Sequence, residues 1–193
     1  MNKINRVTSR VLLATLVVFV AIFGFNSVAS ADDDITFSAE LESSIAISVS
    51  TTSPSLTIRP SSSGTPGSTT FTVNAYTNDS VGYKLSMSVS STTDLTSENN
   101  DTIPTLEDNN NNTGYALNSI PVNHWGIAIG GNNYFPASTT SEEIKVATGV
   151  TGVSGDSTII SLGARLDLET VPGSYTTTLN FTITANVVTP PAP

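Results

Sequence analysis

From residue 35 onward, apolar and polar positions alternate with a period of two along most of the chain, the pattern of strands buried on one face. Ile35, Phe37, Ala39 and Leu41 alternate with Thr36, Ser38 and Glu40, and the pattern resumes after Ser43-Ser44 at Ile45, Ile47 and Val49. Leu56 and Ile58 predict a short strand stopped by Pro60, and residues 61–67 predict a turn-rich connection. Phe71, Val73 and Ala75 follow, then a turn at residues 77–80, then Tyr83, Leu85, Met87 and Val89. Residues 90–114 read as a long polar loop with one short strand, anchored by Leu95, Ile103 and Leu106. Alternation returns at Trp125, Ile127 and Ile129, briefly at Ile144 and Val146, and again from Ile160 to Leu168. Val171-Pro172-Gly173-Ser174 suits a type II turn, with Gly173 at positive φ. The last strand has the cleanest alternation: Tyr175, Thr177, Leu179, Phe181, Ile183, Ala185 and Val187 share one face. No convincing helical spacing interrupts this order after Asp34. The expected fold is all-β, an antiparallel sandwich of about eight strands forming one domain.

The first 31 residues follow a different pattern. Lys3, Arg6 and Arg10 precede a 15-residue apolar run from Val11 to Phe25, and Ala29-Ser30-Ala31 presents small residues before Asp32-Asp33-Asp34. That order predicts a helical secretory signal peptide cut after Ala31. A helix of that run spans about 22 Å, short of the ~30 Å hydrocarbon core, so membrane contact is expected only through an uncleaved leader. The expected organisation is residues 1–31 as leader, 32–188 as a surface sandwich and 189–193 as a Pro-rich tail. All 16 acidic residues follow the leader, against four basic ones (Arg59, Lys84, Lys145 and Arg165), a net charge of −12. Such a charge repels phosphate backbones and argues against nucleic acid as a partner. Ser and Thr supply 51 of the 162 residues after the leader, and Cys supplies none. An exported chain without cysteine holds together by its core alone.

Residues able to carry chemistry are sparse. The single histidine, His124, would need a nucleophile and an orienting carboxylate to act as a base. The adjacent pairs Glu107-Asp108 and Glu142-Glu143 place successive side chains on opposite strand faces, unlike the facing acids of a glycosidase. Together these predict a protein that is not an enzyme. Asp108, Asn110 and Asn112 have the alternating spacing of a calcium loop, although Gly114 falls one place late and Ser119 stands where a bidentate Glu belongs. They are the metal-ligand candidates, and calcium is the one cofactor considered. Lys84 and Asn180 are out of phase with the core positions beside them, which argues against a Lys–Asn isopeptide bond. Trp125, Tyr134 and Phe135 flank the Gly130-Gly131-Asn132-Asn133 turn. They read either as a core anchor with a covered end or as a sugar-stacking platform.

Two stretches carry a family likeness. Val81-Gly82-Tyr83-Lys84-Leu85-Ser86-Met87-Ser88-Val89 and the end from Val171 through Ala185 distantly resemble the WxL surface domain, a cell-wall-associated module. Tyr83, before Leu85, and Phe181, before Ile183, stand where that family carries Trp. The resemblance implies non-covalent association with the cell envelope. The expected protein is a secreted, structural or adhesive surface protein whose partner is an envelope polymer or another surface protein. The alternative is a soluble carbohydrate-binding module using Trp125, Tyr134 and Phe135. The segment from Ile35 to Val49, freed in front by cleavage, is the expected element for self-assembly by strand exchange.

Overall fold

The computed structural model describes residues 39–108 and 113–187. The expected leader, the start of the 35–41 segment and the Pro-rich tail therefore lie outside the described residues. The chain divides into two units, Met1–Glu40 and Leu41–Pro193, and the second is the sandwich. Its strands are β1 (Ile45–Val49), β2 (Thr65–Thr77), β3 (Tyr83–Val89), β4 (Leu95–Ser97), β5 (Thr102–Ile103) and β6 (Tyr115–Ala116). They continue as β7 (His124–Ile129), β8 (Asn133–Tyr134), β9 (Glu142–Ala147), β10 (Asp156–Leu166), β11 (Tyr175–Thr176) and β12 (Leu179–Ala185). One 3₁₀ turn, Leu117–Ser119, is the helical element among the described residues.

Two antiparallel sheets form the sandwich, one ordered β1-β2-β10-β7 and the other β12-β3-β9. Two small sheets, β11-β4-β5 and β6-β8, attach to it. The period-two pattern explains the layers: Phe71, Val73 and Ala75 of β2 and Ile160 and Ala164 of β10 face Tyr83, Leu85 and Val89 of β3 in one buried cluster. Phe71 meets Phe181 of β12 edge to face, with ring centroids 6.0 Å apart. Lys84, Asn180 and Thr182 are exposed, as their phase requires. Lys84 pairs with Thr184 and Asn180 with Ser88, so the two lie well apart on the β3–β12 ladder.

Several local expectations fail for identifiable reasons. Leu56 and Ile58 form no strand. They lie between Pro54 and Pro60, which lack ladder donors, and their side chains instead cover Gly67. The segment read as a turn supplies Thr65, Pro66 and Gly67 to the start of β2. Pro66 is accommodated there because β1 pairs only with residues from Val73 to Thr77. Gly173 is not at positive φ, so the Val171–Ser174 corner is not a type II turn. The Tyr175 hydroxyl donates to the Val171 carbonyl at 2.7 Å across that corner. The last strand also changes sheets: β11 pairs with β4, and β12 pairs with β3. The long polar loop holds two short strands, β4 and β5, rather than one.

At one end of the sandwich, β9 crosses to β10 through residues 148–155. Gly149, Gly152 and Gly155 all sit at positive φ in this loop, while Val150 and Val153 are exposed. The loop docks on the neighbouring turn, where the Thr151 amide donates to the Thr77 carbonyl at 3.0 Å. Gly82 ends that turn at φ +83°, with the Ala147 carbonyl so close that no Cβ fits.

Candidate functional site

Trp125 stands in the middle of β7 with its side chain on the inner face and is 2% exposed. Its indole N–H donates to the Thr93 carbonyl at 3.0 Å, satisfying the ring's one polar atom. Tyr134 is likewise buried, on the opposite face of the same sheet. The two rings therefore form no shared platform for a sugar. Of the three aromatic candidates only Phe135 reaches the surface, at 36% exposure. Of the two readings of this cluster, the buried, hydrogen-bonded indole fits the lone Trp as an anchor between sheets.

Tyr134 belongs to a second, smaller apolar cluster with Leu106, Ile120 and Ala128. Space for it comes from two glycines. Gly126 and Gly163 are register partners on β7 and β10, and a Cβ on Gly126 would strike Leu106 while one on Gly163 would strike the Tyr134 ring. The absence of side chains at these two points lets a chain segment lie flat on the outer face of the sheet.

Phe135 borders an open groove of about 530 Å³ between the two sheets, floored by Met87, Ile127, Ile129 and Ile144. Asp108, Glu142 and Glu143 rim it. Glu143 is paired with Lys84 across β9 and β3 at 2.9 Å, both side chains about half exposed. Of the calcium candidates, Asp108 is exposed at the groove, and Asn110 and Asn112 lie outside the described residues. Among the described residues no cluster of three acidic, His or Cys side chains is close enough to hold a metal ion.

His124 is half-buried, and its Nδ1–H donates to the Val122 carbonyl at 2.9 Å. Its partner is thus a main-chain oxygen instead of an orienting carboxylate. Asn123 beside it adopts φ +63° and spends its side chain internally. Its Nδ2 donates to Asp167 at 2.9 Å, and its Oδ1 accepts from the Thr170 hydroxyl at 2.7 Å. This pins the entry to β7 against the chain that leaves β10.

The polar cluster that sequence patterning missed joins the two sheets. Tyr83 is fully buried at the start of β3, and its hydroxyl donates to Asp156 Oδ2 at 2.7 Å. Lys145 Nζ donates to Asp156 Oδ1 at 2.5 Å and to the Ser157 carbonyl at 3.2 Å. One carboxylate at the first position of β10 thus holds a tyrosine from β3 and a lysine from β9. Burial pushes the Asp156 carboxyl up, but the hydrogen bonds from Lys145 and Tyr83 and the Lys145 charge outweigh it and hold the group below its usual range. Burial, then the bond to Asp156 and its negative charge, push the Tyr83 hydroxyl well above its ordinary value. Tyr83 therefore stays a neutral donor. The arrangement is a polar clamp between layers, with its acid ionised and its phenol protonated.

No family model, curated protein or solved structure matches the chain.

Proposed function

We propose that the chain is a secreted, non-enzymatic protein of the cell surface, structural or adhesive, held non-covalently to an envelope polymer or to another surface protein. The observation that carries the reading is the leader-like order from Lys3 to Ala31 ahead of a cysteine-free sandwich whose outward positions are largely Ser, Thr and Asn. A fold of this kind needs no oxidising machinery to mature, and its clamp of Tyr83, Asp156 and Lys145 supplies a cross-sheet tie where a disulfide could otherwise serve. The WxL-like positions Tyr83 and Phe181 both point into the core. Their aromatic character is accounted for by packing, and wall association would rest on other surface.

Fractionation of the native cell tests the proposal. The protein is expected outside the membrane barrier, in the envelope fraction, beginning at Asp32 and released by salt or chaotrope without a wall hydrolase. Recovery from the cytosol, or release only after enzymatic wall digestion, would overturn it.

A further inference from the structure

The two flanks of the sandwich are finished differently. On one, the outer edge of β7 is already occupied: Trp125 N–H donates to the Pro104 carbonyl, Leu106 N–H donates to the Trp125 carbonyl, and Ile127 exchanges hydrogen bonds with Phe135. The neighbouring edge strand β9 carries Glu142, Glu143 and Lys145 and faces a register break between Leu85 and Ser86. Occupied backbone, charge and bulges are common ways of closing a sheet edge. On the other flank, β1 and β12 end their sheets side by side. Neither contains a charged residue or a proline, and both pair without a register break.

The hydrogen-bond phase of β12 follows from its ends. Ser90 N–H donates to the Thr178 carbonyl and Asn186 N–H to the Gly82 carbonyl. Even-numbered positions therefore bond β3, and Leu179, Phe181, Ile183 and Ala185 turn their N–H and C=O groups to the open edge. The side chains of this flank are also incompletely covered. Ile47, Val49, Leu179, Phe181 and Ile183 are half-buried, whereas Val73, Ala75, Tyr83 and Leu85 one strand further in are buried. The β12 sheet has three strands against four in its partner.

We propose that the segment of residues 35–41 from a second copy of this chain adds to β12 as the fourth strand of that sheet. Its Ile35, Phe37, Ala39 and Leu41 alternate with Thr36, Ser38 and Glu40, matching the apolar and Thr/Asn alternation of β12. Leu41 is 87% exposed and has no cover in its own sandwich. The approach to β1 favours delivery to a neighbour. Asn78 accepts from Ser44 N–H on its side chain at 2.6 Å, donates to the Glu42 carbonyl at 2.9 Å, and donates its own N–H to the Ser44 carbonyl at 3.2 Å. This clamp holds residues 42–44 in line with β1, past the end of β2, while Ala39, Glu40 and Leu41 before them are exposed and join no strand. Strand addition then supplies backbone hydrogen bonds for affinity and alternate side chains for register. Because the donor and acceptor surfaces differ, the contact is heterologous and propagates into a filament unless two copies exchange arms reciprocally.

The test compares residues 32–193, which contain the whole compact unit, with the same chain lacking residues 32–41 and with Ala185→Pro. Proline removes only an outward-facing N–H at a sheet edge, so the fold is expected to keep its melting transition. Light scattering over a concentration series is expected to show assemblies for the intact arm and monomers for both variants. A chain with its arm that stays monomeric at every concentration overturns the proposal, as does assembly that survives removal of residues 32–41. A second measurement titrates a synthetic peptide of residues 35–44 into the shortened chain and follows amide hydrogen exchange. Slowing at Leu179, Phe181, Ile183 and Ala185 supports addition to β12. No slowing there, or slowing confined to the Phe135 groove, overturns it. If the monomeric chain with its arm already protects these four amides, its own arm is the occupant and the second copy is excluded.

Discussion

The sheet formed by β1, β2, β10 and β7 buries residues on both faces, but by different means. Its inner face is a broad apolar layer in which Phe71, Val73, Trp125, Ile127 and Ile160 meet the opposite sheet. Its outer face is covered over β7 and β10, where Leu106, Ile120 and Tyr134 cluster with Ala128 beside the two facing glycines. The inner layer is built by large side chains, and the outer one depends on the absence of them. A strand residue out of phase with the core is therefore not automatically a solvent residue. When it is Gly, Ala or Ser, its smallness is itself the mark of something packed above it.

This contrast orders the mutations. Trp125→Ala removes the largest inner-face side chain and leaves the Thr93 carbonyl without its donor. It is expected to cost about 3–5 kcal/mol, read as a large fall in the urea midpoint. An effect comparable to that of a surface change would mean that the indole does not bridge the sheets. Gly163→Ala tests the outer layer in the opposite direction, by adding volume. The new methyl must displace the buried Tyr134 ring, so the expected cost is about 1–3 kcal/mol, with faster amide exchange around β6 and the 3₁₀ turn. Unchanged stability would show that the outer cluster is loosely seated.

The polar clamp tests whether ties between the layers behave like packing. Because Asp156 titrates lower in the fold than in the unfolded chain, its contribution is present above the ordinary carboxylate range and is lost as pH falls through its depressed value. Because Tyr83 titrates higher in the fold, its contribution is present below about pH 10, its unfolded value, and is lost as pH rises above that. The melting temperature is expected to fall at both limits. Asp156→Asn should flatten the acid limb and Tyr83→Phe the alkaline one. Limbs unaffected by these changes would assign the pH dependence to other groups. The smallest effect belongs to Thr182→Ala, an exposed position expected to move stability by no more than about 0.5 kcal/mol, against about 3–5 kcal/mol for neighbouring Phe181→Ala. Equal shifts would place β12 one residue out of register.

The strands that build the sandwich were legible because one face of each is apolar, and the phases of β3, β10 and β12 follow directly from that alternation. What alternation could not disclose were contacts set by distant partners. Tyr83 announces an aromatic core position, but its hydroxyl needs Asp156, 73 residues away, to be buried at low cost. Leu56 and Ile58 alternate like a strand, yet the flanking prolines deprive them of a ladder and turn them into a lid on Gly67. The two facing glycines occupy outward positions of β7 and β10, and their meeting depends on the β7–β10 register. Trp125 and Tyr134 lie close in sequence but point to opposite faces of one sheet, so proximity along the chain was no guide to a shared surface.

The loop between β9 and β10 is fastened beneath itself. Lys145 and Asp156, joined directly, close residues 146–155 into a ring that is tied to Thr77 through Thr151 and fully exposed at Val153. Lengthening a flexible loop already closed in this way costs little, about 0.6 kcal/mol for each doubling. A peptide inserted after Val153 should therefore leave the melting temperature nearly unchanged while standing clear of the sandwich. In a protein proposed for the cell exterior, that makes this crossover a place to carry foreign sequence outward, a mount whose foundation is the ion pair below it.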